Sequence, residues 1–252
     1  VTARRKDRGH APLGHDHGVS DTPEETEAEF RQPAFEPPPG AAQLLLVRHG
    51  ESAPYRHGEP FPLVGGQGDP PLHPVGEEQA ERVGERLAHE DLAAIYVTTL
   101  QRTAQTAAPL AERLGLIPVV EADLREVHLG EWEGGEFRKH VAHGHPAALA
   151  AFEAGSWDPI PGAEQAVDLE ARVRAAVNRI AAAHADQCVA VFSHGGVISQ
   201  IAAIATGGRP FSFLTDNAAV SHLVVDADQR WLLRTYNDTT HLHPGLTRRT
   251  PR

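Results

Sequence analysis

Apolar and polar positions alternate in blocks along the chain. The run Leu44-Leu45-Leu46-Val47 is unbroken by polar residues, the pattern of a strand covered on both faces, and predicts a strand over 43–48. Val189-Ala190-Val191-Phe192 repeats it. Ala93 to Val97 and Ile117 to Val120 read as shorter strands. Between these runs the apolar period lengthens from that of a strand to that of a helix. Ala80, Val83 and Leu87 share one face of a helix over 75–89. Another helix follows Thr98-Thr99, with a threonine as candidate cap, and runs to about Leu114. Leu169, Val173, Val177 and Ile180 form the stripe of a helix over 164–184, and a further helix covers Gly195 to about Ala205. Val220 to Val225 and Trp231 to Tyr236 predict a hairpin over the turn at 226–229. Strands alternating with helices give a three-layer α/β/α sandwich with a mainly parallel sheet, closed by an antiparallel pair.

The pattern lapses in three places. Residues 1–40 join a basic start, an acidic run and Pro37-Pro38-Pro39-Gly40; they read as a polar, Pro-rich tail, flexible or docked through Phe30 and Phe35. The expected domain is 41–243, followed by a loose tail over 244–252. Residues 53–73 hold Pro54, Pro60, Pro62, Gly65, Gly66, Gly68, Pro70 and Pro71, and are expected to be a wall-forming loop without regular structure. Residues 135–162 read as short helices and loop forming a lid over the sheet edge, with His140, His143 and His145 on the surface.

Composition narrows the choices. At 252 residues the chain makes one large domain. The net charge of −11 argues against nucleic acid as a partner, and means that an anion site must be built from local positive charge. No apolar run approaches the roughly 18 residues of a membrane span. The lone cysteine, Cys188, excludes an internal disulfide framework and suits a reducing, cytoplasmic setting; opening an apolar strand, it is expected in the core. His10, His15 and His17 lack ligand-spaced partners, so no metal site is read there.

Candidate chemistry enters where the two buried runs stop. One ends Arg48-His49-Gly50-Glu51 and the other Ser193-His194-Gly195-Gly196. Both histidines would stand at the carboxyl edge of a parallel sheet, where ligands bind. Gly50 is expected to let the backbone approach a ligand closely. Arg102 falls in the first turn of a helix, an unfavourable place for a cation unless it serves an anion. The arginine fork matches phosphate oxygens, and the helix after Gly195-Gly196 adds backbone N–H groups. A neutral His49 imidazole can attack phosphorus while its other nitrogen donates to a carbonyl. A departing alkoxide needs a proton from a carboxyl; Glu126 is the candidate, with Glu131 and Glu133 nearby. The arginines carry the positive charge, so neither metal nor cofactor is called for. P-loop, His-Glu-x-x-His and Gly-x-Ser-x-Gly motifs are absent.

From about Leu44 to Leu242 these motifs resemble the histidine phosphatase superfamily, phosphoglycerate mutase-like branch. Arg48-His49-Gly50-Glu51 is similar to its Arg-His-Gly signature, which implies His49 as nucleophile. Arg102, in Leu100-Gln101-Arg102-Thr103, resembles the second phosphate-binding arginine, with Arg48 the first. His194 resembles the second histidine, catalytic and phosphate-binding, and Glu126 the proton donor. Asp69-Pro70-Pro71-Leu72, Asn237-Asp238 and His241-Leu242 follow the family pattern as well. The resemblance implies a mutase-like α/β/α fold and a metal-independent phosphatase hydrolysing a small phosphomonoester through phosphohistidine. It leaves a homodimer open, since relatives often dimerise. Two departures stand out. Ala53-Pro54-Tyr55 replaces a segment in which many relatives carry asparagine, and the basic cluster by which mutases grip a second phosphate is missing, only Arg138 and Lys139 coming close. The missing cluster favours hydrolysis over a 2,3-bisphosphoglycerate-requiring mutase, and the complete set of charged residues speaks against the third reading, a non-catalytic phospholigand-binding protein.

Overall fold

The structure is a computed structural model and describes residues 31–243. The expected tails therefore fall mostly outside the described residues, as do Phe30 and the three histidines at 10, 15 and 17. Chain order from Pro37 onward alternates as the patterning requires: β1 (Ala42–Arg48), β2 (Leu63–Val64), β3 (Gln67–Gly68), α1 (Pro74–Leu87), β4 (Leu92–Val97), α2 (Gln101–Leu114), β5 (Val119–Val120), α3 (Glu136–Ala142), α4 (Pro146–Ala154), α5 (Ala166–Ala183), β6 (Cys188–Ser193), α6 (Gly195–Thr206), β7 (Val220–Val225) and β8 (Trp231–Asp238).

Six strands form one sheet in the order β5-β4-β6-β1-β7-β8. The first four are parallel, while β7 runs antiparallel to β1 and β8 to β7. The pleat sorts the central strands between two cores. Leu44, Leu46, Val189, Val191 and Leu223 pack with Leu169, Val173, Val177 and Ile180 of α5 and with Val197, Ile198 and Ile201 of α6. Leu45, Val47, Ala190 and Phe192 face Val83 and Leu87 of α1 and Ala107 and Leu110 of α2. The result is the expected α/β/α sandwich. Register β1–β6 pairs Arg48 with Ser193, so the two strands deliver their histidines at the same level of the same edge.

The structure corrects three local readings. Within 53–73 a two-residue hairpin joins β2 to β3; Gly65 and Gly66 sit at φ +57° and +84°, the backbone that a tight hairpin turn demands, so glycines read as breakers build the turn. No threonine caps α2: its cap position is Leu100, without a side-chain hydrogen bond. The Thr98 hydroxyl instead accepts from the Leu100 N–H at 3.3 Å. Cys188 is half-buried rather than core, packed at the margin of the α1/α2 layer, and burial pushes its thiol up to about 11.

The segment 130–163 has a small core of its own over the sheet edge. Trp132, Ala148, Ala151, Ile160 and Ala163 are buried together, with Leu129, Phe137 and Trp157 against them. Of its three histidines only His143 is exposed. His140 stacks on Trp132 with ring centroids 4.4 Å apart, and His145 meets the same indole edge-on at 5.1 Å.

Candidate active site

The loop leaving β1 is fixed from several sides. The His49 N–H donates to Ser193 O at 3.0 Å, and Asn217 Nδ2 donates to His49 O at 3.0 Å. The Gly50 N–H donates to the Thr106 hydroxyl of α2. A Cβ on Gly50 would lie 2.5 Å from Gly76 O, and one on Gly76 only 2.0 Å from Glu51 O. The glycine after His49 is thus required by the first turn of α1, whose backbone makes the close approach.

His49 is 5 % exposed. Its Nδ1–H donates to Gly50 O at 2.7 Å, which fixes the tautomer because a carbonyl can only accept. The Nε2 lone pair is left to accept from Arg102 Nε–H at 3.1 Å. Burial, then the charges of Arg102 and Arg48, hold the His49 pKa well below its usual value. The ring is neutral at pH 7, with a nucleophilic nitrogen beside a guanidinium.

His194 lies behind it, fully buried, with ring centroids 5.2 Å apart. Its Nε2 shares a 2.9 Å hydrogen bond with the Thr98 hydroxyl, and its Nδ1 has no partner within the protein. Burial and the neighbouring Arg102 keep it neutral too. It does not itself wall the cavity in front of His49.

That cavity encloses about 270 Å³, with Arg48, His49, Arg102, Glu126 and Arg138 among its walls. Arg102, 6 % exposed, donates Nη1–H to Gly68 O at 3.0 Å; its nearest carboxylate oxygen, of Asp69, is 3.8 Å away. Arg48 donates to Thr215 O, and its buried Nε has no partner within the protein. Arg138 reaches in from α3, held by Ala53 O at 2.8 Å and the Ser52 hydroxyl at 2.7 Å.

Three carboxylates compete for the acid role, and geometry separates them. Glu131 is exposed and lines no part of the cavity. Glu133 lines it, but one oxygen accepts from Gly68 N and the other from Leu129 N, both at 2.7 Å. Glu126 is looser: its Oε1 accepts from Val127 N at 3.0 Å, and its Oε2 takes only a long 3.4 Å contact from Gly196 N. Gly196 makes room for it, since a Cβ there would sit 2.6 Å from Glu126 Oε1.

All five sequence candidates therefore meet at one edge: His49, Arg48, Arg102 and Glu126 around the cavity, His194 one layer deeper. Sequence reading missed Thr98, which buttresses His194. The signal was available, because β4 is a third parallel strand whose end reaches the same edge. Arg138 as a wall was missed for a physical reason: it arrives on a short helix whose docking no local pattern specifies. Among the described residues no group of His, Cys, Asp or Glu could hold a metal ion, and no helix is long and apolar enough to cross a membrane.

Comparison with known proteins finds the same lineage by independent routes. The family model "Histidine phosphatase superfamily (branch 1)" matches residues 44–239. The chain is 33% identical over 163 residues to a metal-independent phosphoserine phosphatase of Arabidopsis thaliana, covering 63% of this chain and 67% of that one. It is 31% identical over 206 residues to the phosphoglycerate mutase-like protein 4 of the same plant, covering 80% and 87%. Among solved structures, a mycobacterial glucosyl-3-phosphoglycerate phosphatase superimposes with a TM-score of 0.67 at 30% identity, covering 79% of this chain and 100% of that one.

Proposed function

The chain belongs to branch 1 of the histidine phosphatase superfamily, and from that premise we propose that it hydrolyses a phosphomonoester through a phosphohistidine on His49, with Glu126 as proton donor. The observation that carries this reading is the His49 ring itself. Its tautomer is locked by Gly50 O, it is neutral by burial, and its Nε2 lone pair accepts from Arg102 Nε–H. A phosphoryl group entering the cavity would take the Arg102 fork for its oxygens and release that lone pair for attack. Arg48 Nε supplies a further buried donor. His194 backs the His49 ring from one layer deeper and shares its Nε2 with the Thr98 hydroxyl.

The electron count closes in two steps. His49 Nε2 forms the N–P bond while the P–O bond to the alcohol breaks; the pair goes to the leaving oxygen, which takes the proton of the Glu126 carboxyl. Water then gives a proton back to Glu126 and its oxygen attacks phosphorus. The N–P bond breaks, its pair returns to Nε2, and phosphate leaves. The arginines stabilise the charge on the phosphoryl oxygens throughout.

Hydrolysis is favoured over mutase chemistry because a second phosphate finds few further cations: Arg138 already walls the phosphoryl cavity, and Lys139 is tied to Glu136 at 2.8 Å. The test is trapping. Protein mixed with radiolabelled phosphomonoester and quenched in alkali should retain label that acid releases, and His49→Ala should retain none. Label on the variant equal to wild type would reject the assignment. Conversion of 3-phosphoglycerate to 2-phosphoglycerate without phosphate release would establish the mutase.

A further inference from the structure

Taking the hydrolytic reading as its basis, the geometry points to a second cavity, sharing a wall with the first, as the seat of the leaving group, and to an alcohol bearing an apolar ring as its occupant. This cavity encloses about 370 Å³. It shares Arg48, Glu126, Phe137 and Trp157 with the phosphoryl cavity, but not His49. In-line attack by His49 expels the alcohol on the side away from the nucleophile, and the proton must come from Glu126. Of the spaces adjoining Arg48, this is the one that has Glu126 in its wall and His49 outside it.

Its remaining surface is mainly apolar, with Phe152, Pro210, Phe211 and Leu214 beside Ser199 and Thr215. Trp157 and Phe211 pack with centroids 4.6 Å apart, Phe211 and Phe152 meet edge-on at 5.4 Å, and Phe137 joins Trp157 at 5.6 Å. Phe152 and Leu214 are 46% and 72% exposed, an apolar rim that gains by being covered. The cleft on the other side of Arg48 is different in kind: Arg138, Lys139, His57 and His143 line it, and Glu126 does not. A small anionic alcohol would suit that cleft, not the aromatic one.

Three alkyl monoesters with similar leaving groups test the assignment: 2-phenylethyl phosphate, ethyl phosphate and 3-phosphoglycerate. The expected result is a kcat/KM for 2-phenylethyl phosphate roughly 10-fold or more above the other two. In Phe211→Ala, and separately in the solvent-facing Leu214→Asp, the ratio of 2-phenylethyl to ethyl phosphate should fall several-fold toward one, carried by KM. A wild-type ratio near one, a ratio that neither variant moves, or a preference for 3-phosphoglycerate overturns the inference; the last would hand specificity to the cationic cleft. Absence of turnover on every ester would strike the hydrolytic reading instead. Calorimetric binding of 2-phenylethyl phosphate against ethyl phosphate then judges the cavity by the same ratio.

Discussion

Gly196→Ala isolates the proposed proton donor, Glu126, without substituting it. Gly196 lies in the first turn of α6, where alanine is the better helix former by about 1 kcal/mol, so helix propensity does not oppose the change. The new methyl would stand 2.6 Å from Glu126 Oε1, 2.8 Å from Val127 Cγ2 and 3.3 Å from Trp157 Cζ2. The carboxylate is the movable party and must retreat by roughly 1 Å, a displacement that can cost about 100-fold in a positioned catalytic group. His49, Arg102 and His194 lie outside these contacts. The assay compares an ester with a poor leaving group, ethyl phosphate, against 4-nitrophenyl phosphate, whose phenolate departs with little help from an acid. The former should lose about 100-fold in kcat/KM and the latter far less. Equal losses on both would mean that the methyl perturbs phosphoryl binding, and a loss under about 3-fold on ethyl phosphate would mean that Glu126 does not deliver the proton; either result refutes the reasoning.

The other predictions follow from the same geometry. Glu126→Gln should lower kcat on ethyl phosphate by about 10²- to 10⁴-fold, while Glu131→Gln, exposed and outside the cavity, should stay within about 3-fold; steady-state kinetics on both variants decide it. Because burial and the adjacent arginines depress the His49 pKa, the nucleophile stays unprotonated below pH 6.5, and the acid limb of kcat/KM should not fall at the ordinary histidine value. Stability carries the matching sign: below about pH 6.5 the unfolded chain binds protons that His49 and His194 refuse, so stability is full above that value and is lost as pH falls toward the depressed pKa values, by up to ~1.4 kcal/mol per pH unit for each ring. Urea midpoints at pH 7.5 and 5.5 test this, and equal midpoints would contradict it. Gly76→Ala drives a methyl to 2.0 Å from Glu51 O and should cost about 1–3 kcal/mol or more, read as a lowered Tm.

How far the sequence could be read depended on whether a signal was local. The buried runs Leu44–Val47 and Val189–Phe192 specify strands by composition alone, and strand polarity then places His49 and His194 on one edge. That is why residues 145 positions apart could be joined without coordinates. Gly50 signals close approach without naming the partner, which is the backbone of Gly76. The resemblance singles out Glu126, but spacing alone does not separate it from Glu131 and Glu133, because the difference rests on which oxygens are already occupied, a property of folded contacts. The aromatic cavity was hidden for the same reason: Phe137 and Phe152 come from α3 and α4, and Trp157 and Phe211 from the segments after α4 and α6.

A chain of net charge −11 that receives a phosphoryl dianion needs a cause, and it lies in how its arginines are partnered. Arg86, Arg172 and Arg179 pair with carboxylates at 2.6–2.8 Å, which cancels their charge locally. The cavity arginines are pinned chiefly by neutral acceptors: Arg48 by Thr215 O, Arg102 by Gly68 O with Asp69 standing off at 3.8 Å, Arg138 by Ala53 O and the Ser52 hydroxyl. Neutral acceptors fix the guanidinium groups and offset part of their desolvation without neutralising them. Screening confines the field of distant carboxylates to about 8 Å at physiological salt, whereas three guanidinium groups around one small cavity, of which only Arg102 has a carboxylate within 4 Å among the described residues, act at short range. Converting one neutral pin into a carboxylate would keep the guanidinium in place and remove its attraction for phosphate. Anion affinity here is therefore a property of what holds the arginines, and not of how many the chain contains.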